Sequence, residues 1–233
     1  SALGTTLYSR EPGTLWIHQY VASRAQIEPG FALQAESGLP WEGSVRLRLE
    51  LDAPRKLALH LRIPSWTDGY TLSVNGEPVA VETQNFASLQ CATACGYDPR
   101  RAAYLTIERE WQNDDRLEIT FDLTIRRYRQ DSRLPGCGGK IAIGRGPLLY
   151  CLESVDNPDV DIFEAELNSR RGDRPVPQGD HIAPTWNVEF DPALLGGCAL
   201  LRGQTPAGQP LTFIPYMLWG NRGPAQMTVF IKG

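Results

Sequence analysis

The chain is written almost throughout in alternation. "VRLRLEL" at 45–51 sets Val45, Leu47, Leu49 and Leu51 against Arg46, Arg48 and Glu50, and "KLALHLRI" at 56–63 sets Leu57, Leu59, Leu61 and Ile63 against polar neighbours. A period of two marks a strand with one buried and one wetted face, because successive side chains point to opposite sides of the pleat. Asp52, Ala53 and Pro54 supply a turn between the two runs, which predicts that they pair antiparallel. Upstream, "LWIHQYV" at 15–21 puts Leu15, Ile17 and Val21 on one face and Trp16, His18 and Tyr20 on the other.

Downstream, Pro64 ends a strand because it has no N–H for the ladder, and "TLSV" at 71–74 then meets "PVAV" at 78–81 across Asn75-Gly76. Asn-Gly favours a type I′ hairpin, whose two central residues both need positive φ. "YLTIER" at 104–109 and the eleven-residue alternation "DRLEITFDLTI" at 115–125 read as further strands. "QDSRLPGCGGK" at 130–140 breaks the pattern and marks a boundary, giving a first domain at 1–133 and a second at 134–233. In the second, "IAIG", "PLLYCLE", "CALLRG", "LTFIPYMLW" and "QMTVFIK" read as strands, with a polar, Pro-rich excursion at 168–186. About a dozen short strands separated by turns predict an all-β chain of two antiparallel β-sandwich, jelly-roll-like domains in tandem.

Length agrees, since 233 residues suit two domains of roughly 100–130 residues. With 42% hydrophobic and 21% charged residues, the composition is that of an ordinary globular chain, and no apolar run approaches the ~20 residues of a membrane span. A net charge of -4 without a basic block argues against nucleic acid as a partner. The five cysteines (Cys91, Cys95, Cys137, Cys151 and Cys198) are odd in number and scattered, which reads as free thiols. The start "SALGTTLYSREPG" carries neither Met nor a signal pattern, reads as a cut end of a longer chain, and leaves the compartment unknown.

Candidate chemistry is sparse. His18 could form a binding face with Trp16 and Tyr20, and a packed sheet histidine accounts for the same pattern; His60 sits on a polar strand face and His181 in the Pro-rich excursion. Cys91 and Cys95 have a spacing a metal could use, without the second pair a structural zinc needs. The loop "DNPDVD" (Asp156, Asn157, Asp159, Asp161) lacks the glycine and distal glutamate of a calcium loop and reads as Asx-capped turns. Glu108, Glu110, Asp114 and Asp115 could supply a carboxylate pair, but their strand-end positions suit solvated edges. Of the six tryptophans (Trp16, Trp41, Trp66, Trp111, Trp186, Trp219), most are expected in cores, with one or two left to stack on sugar rings. No catalytic, cofactor-binding or metal residue is assigned.

Several stretches, in order, carry a resemblance: "LYSREPGTLWIHQYVAS" at 7–23, "LHLRIPSW" at 59–66 with "SVNGEPV" at 73–79, "YLTIEREWQNDDRLEITFDL" at 104–123, "GKIAIGRGPLLYCLE" at 139–153, and "IPYMLWGNRG" at 214–223 with "MTVFI" at 227–231. Together they resemble the C-terminal region of glycoside hydrolase family 127, the β-L-arabinofuranosidase-like family once catalogued as a domain of unknown function. The resemblance implies a parent whose active site lies in a helical (α/α) toroid, where a glutamate and three cysteines hold zinc and one cysteine is the nucleophile. None of the five cysteines here falls in that motif. For these residues it therefore implies scaffolding sandwiches, inactive alone, without a cofactor of their own. The implied partners are the parent's helical domain, a second copy, or carbohydrate through exposed tryptophans.

Overall fold

The computed structural model describes residues 6–79, 103–129, 139–167, 180–181 and 186–233. The chain is all-β and divides into two compact units, Ser1–Asp122 and Leu123–Gly233. The glycine-rich stretch read as the boundary lies mostly outside the described residues, and the units part ahead of it.

In the first unit the strands run β1 (Tyr8–Glu11), β2 (Thr14–Ile17), β3 (Ser23–Glu28), β4 (Phe31–Ser37), β5 (Ser44–Leu51), β6 (Arg55–Ile63), β7 (Tyr70–Val74), β8 (Glu77–Pro78), β9 (Ala103–Trp111) and β10 (Arg116–Phe121). They form a four-stranded sheet, β1-β2-β6-β9, and a six-stranded sheet, β3-β4-β5-β10-β7-β8. Leu15 and Ile17, Leu57 to Ile63, Phe31 to Ala35, Val45 to Leu51, and Leu117 to Phe121 alternate into one shared core. Each large apolar side chain buried there contributes about 1.5–3 kcal/mol. This is a sandwich, and it corrects one expectation. β5 and β6 do not pair: β5 lies between β4 and β10, while β6 lies between β2 and β9. Both arrangements bury the two apolar stripes in one sandwich core, so alternation does not choose between them; here the short turn carries the chain from one sheet to the other. The β2–β6 pair is parallel, and the other strand pairs of this unit among the described residues are antiparallel.

The Asn75-Gly76 hairpin forms as expected, with φ of 54° and 84° at its two central residues. Asn75 is also tied sideways. Its Nδ2 donates to Asp115 Oδ1 (2.8 Å) and its Oδ1 accepts from Arg116 N (2.9 Å), so one turn is fastened to the next. The opening strand is shorter than its alternation suggested. β2 ends at Ile17, after which the period fails: Tyr20 enters the core beside Phe121, and Val21 is exposed.

The eleven-residue run at 115–125 is split. β10 ends at Phe121, and β11 (Ile125–Arg129) begins the second unit by pairing with β12 (Lys140–Arg145). There follow β13 (Leu148–Glu153), β14 (Asp180–His181), β15 (Asn187–Asp191), β16 (Cys198–Gln204), β17 (Pro210–Pro215), β18 (Met227–Thr228) and β19 (Ile231–Lys232). They make one curled, nine-stranded sheet. β12 and β13 pair only beside their turn, from Ile143↔Tyr150 to Arg145↔Leu148; further out β19 takes over the edge of β12 and β18 that of β13. The divergence wraps the sheet around Ile141, Ile143, Tyr150, Leu152, Leu201, Leu211, Phe213 and Ile231.

Candidate functional site

On the outward face of the four-stranded sheet, register gathers several of the residues singled out by sequence. Ser9 lies opposite Trp16, Trp16 opposite His60, and His60 opposite Thr106, so the four form a row across β1, β2, β6 and β9. The Trp16 and His60 rings stack at 3.7 Å and 12°, and Tyr104 meets Trp16 edge-on at 5.0 Å. His18 just beyond β2 has both ring nitrogens engaged, Nε2 with Ser9 Oγ (2.7 Å) and Nδ1 with Tyr104 Oη (2.6 Å). His60 Nδ1 meets Thr106 Oγ1 at 2.8 Å. Partial burial lowers the His60 pKa against a weaker upward pull from Glu11, so the ring favours its neutral form. The row is half-buried, aromatic and fringed by hydroxyls. Tyr20, expected on this face, is in the core.

The carboxylates do not converge. Glu108 pairs with Lys56 at 3.2 Å, Asp114 with Arg48 at 2.9 Å, and Asp115 is buried, its Oδ2 accepting from Gln112 N (2.9 Å). Glu110 is exposed. In the acidic loop Asn157 is a structural pin, donating to the carbonyls of Glu153 and Thr212 and accepting from Thr212 N, while Asp161 Oδ1 caps Phe163 N at 3.0 Å. Asp159 is exposed. Trp111 is fully buried with Nε1 donating to Leu57 O (3.0 Å); Trp66 packs edge-on against Phe121, and Trp186 covers Phe213. Trp41 is half-buried and Trp219 is 44% exposed. The side chain of His181, with Cys91, Cys95 and Cys137, lies outside the described residues.

Two arrangements escaped the sequence reading. In the second unit Glu153, wholly buried, accepts from Gly220 N at 2.8 Å and pairs with Arg222, which also grips Asp156. Glu153 ends an apolar strand and Arg222 lies 69 residues away, so no local pattern joins them. On the outer face of the six-stranded sheet a cavity of about 480 Å³ is lined by Gln34, Glu36, Arg46, Arg48, Arg116 and Glu118 over Leu47. Those residues stand on the wetted side of three neighbouring strands, an alternation visible in sequence whose convergence needs the register.

Two family descriptions match nearly the whole chain: the middle domain of the β-L-arabinofuranosidases of glycoside hydrolase family 127 over residues 14–123, and that family's C-terminal domain over 125–232. The chain belongs to glycoside hydrolase family 127. A non-reducing end β-L-arabinofuranosidase of Bifidobacterium longum subsp. longum is 30% identical over an alignment of 253 residues, which takes in 96% of this chain and 34% of that protein. The crystal structure of a family 127 β-L-arabinofuranosidase from Geobacillus stearothermophilus T6 matches with a TM-score of 0.73 at 27% identity, over 99% of this chain and 35% of the other. A further family 127 β-arabinofuranosidase shares the fold at a TM-score of 0.70 and 24% identity, over 97% of this chain and 36% of that one. The chain thus spans about a third of the length of these family 127 relatives.

The zinc that family resemblance implies has no seat among the described residues, where no three of His, Cys, Asp and Glu come close enough to hold a metal ion. Cys151 and Cys198 are buried free thiols. Burial pushes Cys151 up to about 12, and the thiolate is the form that ligates zinc or attacks carbon. The described residues do not fit that metal. No described helix is long and apolar enough to cross a membrane.

Proposed function

We propose that this chain is the non-catalytic β-sandwich portion of a β-L-arabinofuranosidase-like glycoside hydrolase, a scaffold for a bond-breaking site carried elsewhere in the parent. One observation carries this reading: the chain matches the family's middle and C-terminal domains almost end to end yet spans only 34% of the curated relative. Support comes from the described histidines, carboxylates and thiols, which are hydrogen-bonded, ion-paired, solvated or protonated by burial rather than gathered in a cleft. Zinc, on this reading, belongs to the parent's other residues. The second unit's exposed Tyr216, Met217 and Trp219 suit a protein partner, either the parent's remaining portion or a second copy. The test is hydrolysis of a chromogenic β-L-arabinofuranoside by the purified chain. No turnover above buffer is expected, and enzyme-like turnover would refute the proposal.

The row of Trp16, His60 and Tyr104 favours a second reading, a carbohydrate-binding surface on which a sugar ring stacks. Calorimetry with neutral arabino-oligosaccharides tests it: heat lost on Trp16→Ala supports the reading, and no heat with the unaltered chain removes it.

A further inference from the structure

The cavity on the six-stranded sheet breaks a rule that the rest of that face obeys. Along the outer surface of β3, β4, β5 and β10, basic and acidic side chains meet across strands: Arg24 with Glu50 at 2.6 Å, Arg46 with Glu36 at 3.8 Å and with Glu118 at 3.6 Å. Arg48 is held by three acceptors, its fork donating to Asp114, Gln34 and Glu50 at 2.9, 2.7 and 2.9 Å. Arg116 is the exception. It stands directly opposite Arg48 in the β5–β10 register, and no carboxylate among the described residues forms an ion pair with it. Like charges directly opposed across two strands cost stability. Both guanidinium groups nevertheless line the same cavity.

We propose that this cavity binds a sugar acid, a uronate-bearing oligosaccharide whose carboxylate is taken by Arg116. The lining specifies that class. A guanidinium fork with no internal ion pair matches a carboxylate in two parallel hydrogen bonds, whereas Gln34, Glu36 and Glu118 around it, though engaged by Arg48 and Arg46, keep lone pairs that can accept from hydroxyl groups. A ligand carrying one anion and several hydroxyls can use both Arg116 and the remaining lone pairs of these acceptors, whereas an inorganic anion uses Arg116 alone. The volume of about 480 Å³ falls within the range of ordinary small-ligand sites. Arg48 is held in place by its three acceptors, two of them carboxylates that offset its charge, which leaves Arg116 as the cation of the cavity's lining without an ion pair among the described residues. This site is separate from the Trp16 row and from the scaffold reading, and would stand if either of those failed.

The experiment is calorimetric titration of the full chain with oligogalacturonate, with neutral arabino-oligosaccharide and with sodium acetate at matched ionic strength. Oligogalacturonate is expected to bind, acetate and the neutral sugar far more weakly, and added salt to weaken the complex. Arg116→Gln should lower affinity by about tenfold, the size of one lost charge-assisted contact. Because that change also removes an opposed like charge, its melting temperature should equal or exceed that of the unaltered chain, which separates a lost ligand contact from a damaged fold. Arg24→Gln, on the same face but outside the cavity, should leave binding unchanged. The proposal is overturned if oligogalacturonate does not bind, if the neutral sugar binds equally well, if Arg116→Gln binds undiminished, or if Arg24→Gln weakens binding as much as Arg116→Gln does.

Discussion

The two units solve the same problem differently. The first closes two sheets over one core, and of the exposed large hydrophobics among the described residues it carries only Val21 and Tyr104. The second curls one sheet over a smaller core and carries the other ten, Phe190, Met217 and Trp219 among them. It also buries an ionic clamp, where the ion pairs of the first among the described residues lie on the wetted face. The first unit is thus held by apolar area. The second relies on a specific polar lock, with Glu153, Asp156 and Arg222 fixing the segment that follows the exposed Tyr216–Leu218 turn to the end of β13.

The contrast is most open to attack at the clamp. Arg222→Met leaves Glu153 buried without its cation, and removing one partner of a buried pair costs about 3–5 kcal/mol. Hydrogen exchange followed by mass spectrometry should show lost protection in β13, β17 and β18, with β5 and β6 unchanged. Unaltered protection in β13 would show that apolar area suffices in both units. The converse change is Leu59→Ala, at the centre of the first core, where a large-to-small substitution at a fully buried site costs about 2–5 kcal/mol; denaturant midpoints measure it. A loss smaller than that of Arg222→Met is expected if the sandwich relaxes around the cavity.

Gly76→Val asks for less. A Cβ at Gly76 would meet nothing within 4 Å, so the cost is purely that of holding a β-branched residue at φ 84°, on the order of 1–3 kcal/mol. An unchanged melting temperature would contradict the hairpin.

How much of this was legible in the chain follows from which interactions are local. β5, β6, β9 and the Asn75-Gly76 hairpin were readable because period and turn chemistry are written within a few residues of one another. β3 and β4 went unread, although Phe31, Leu33 and Ala35 alternate, because "SRAQIE" and "FALQAES" are rich in alanine and glutamine, which carry little strand preference. Beyond the Asn75-Gly76 hairpin, partner choice was not readable: a turn between β5 and β6 looks the same whether the chain doubles back in one sheet or crosses to the other. The split at Phe121 was hidden for a related reason, since the alternation of Leu117, Ile119, Phe121, Leu123 and Ile125 runs through the junction without losing phase. The aromatic row was half legible, Trp16 and His18 by spacing, whereas His60 and Tyr104 arrive only through the parallel β2–β6 register and its antiparallel neighbour.

The smallest effect singles out the first unit by pH. Partial burial beside Trp16 holds the His60 pKa below its ordinary value, so the folded state prefers the neutral ring more than the unfolded state does. For such a group the stabilisation is fully present above the unfolded pKa of ~6.5 and is lost as pH falls through the folded value, because the unfolded chain takes up the proton more readily. Urea midpoints for the first unit, read by exchange in β6, should therefore fall between pH 7.5 and pH 5, and His60→Gln should flatten part of that fall. Glu11→Gln should steepen it, since Glu11 is the charge that opposes the shift. If His60→Gln loses as much stability on acidification as the unaltered chain, the ring titrates as it would in water, and the stacked row on the outer face adds nothing to the pH dependence of this sandwich.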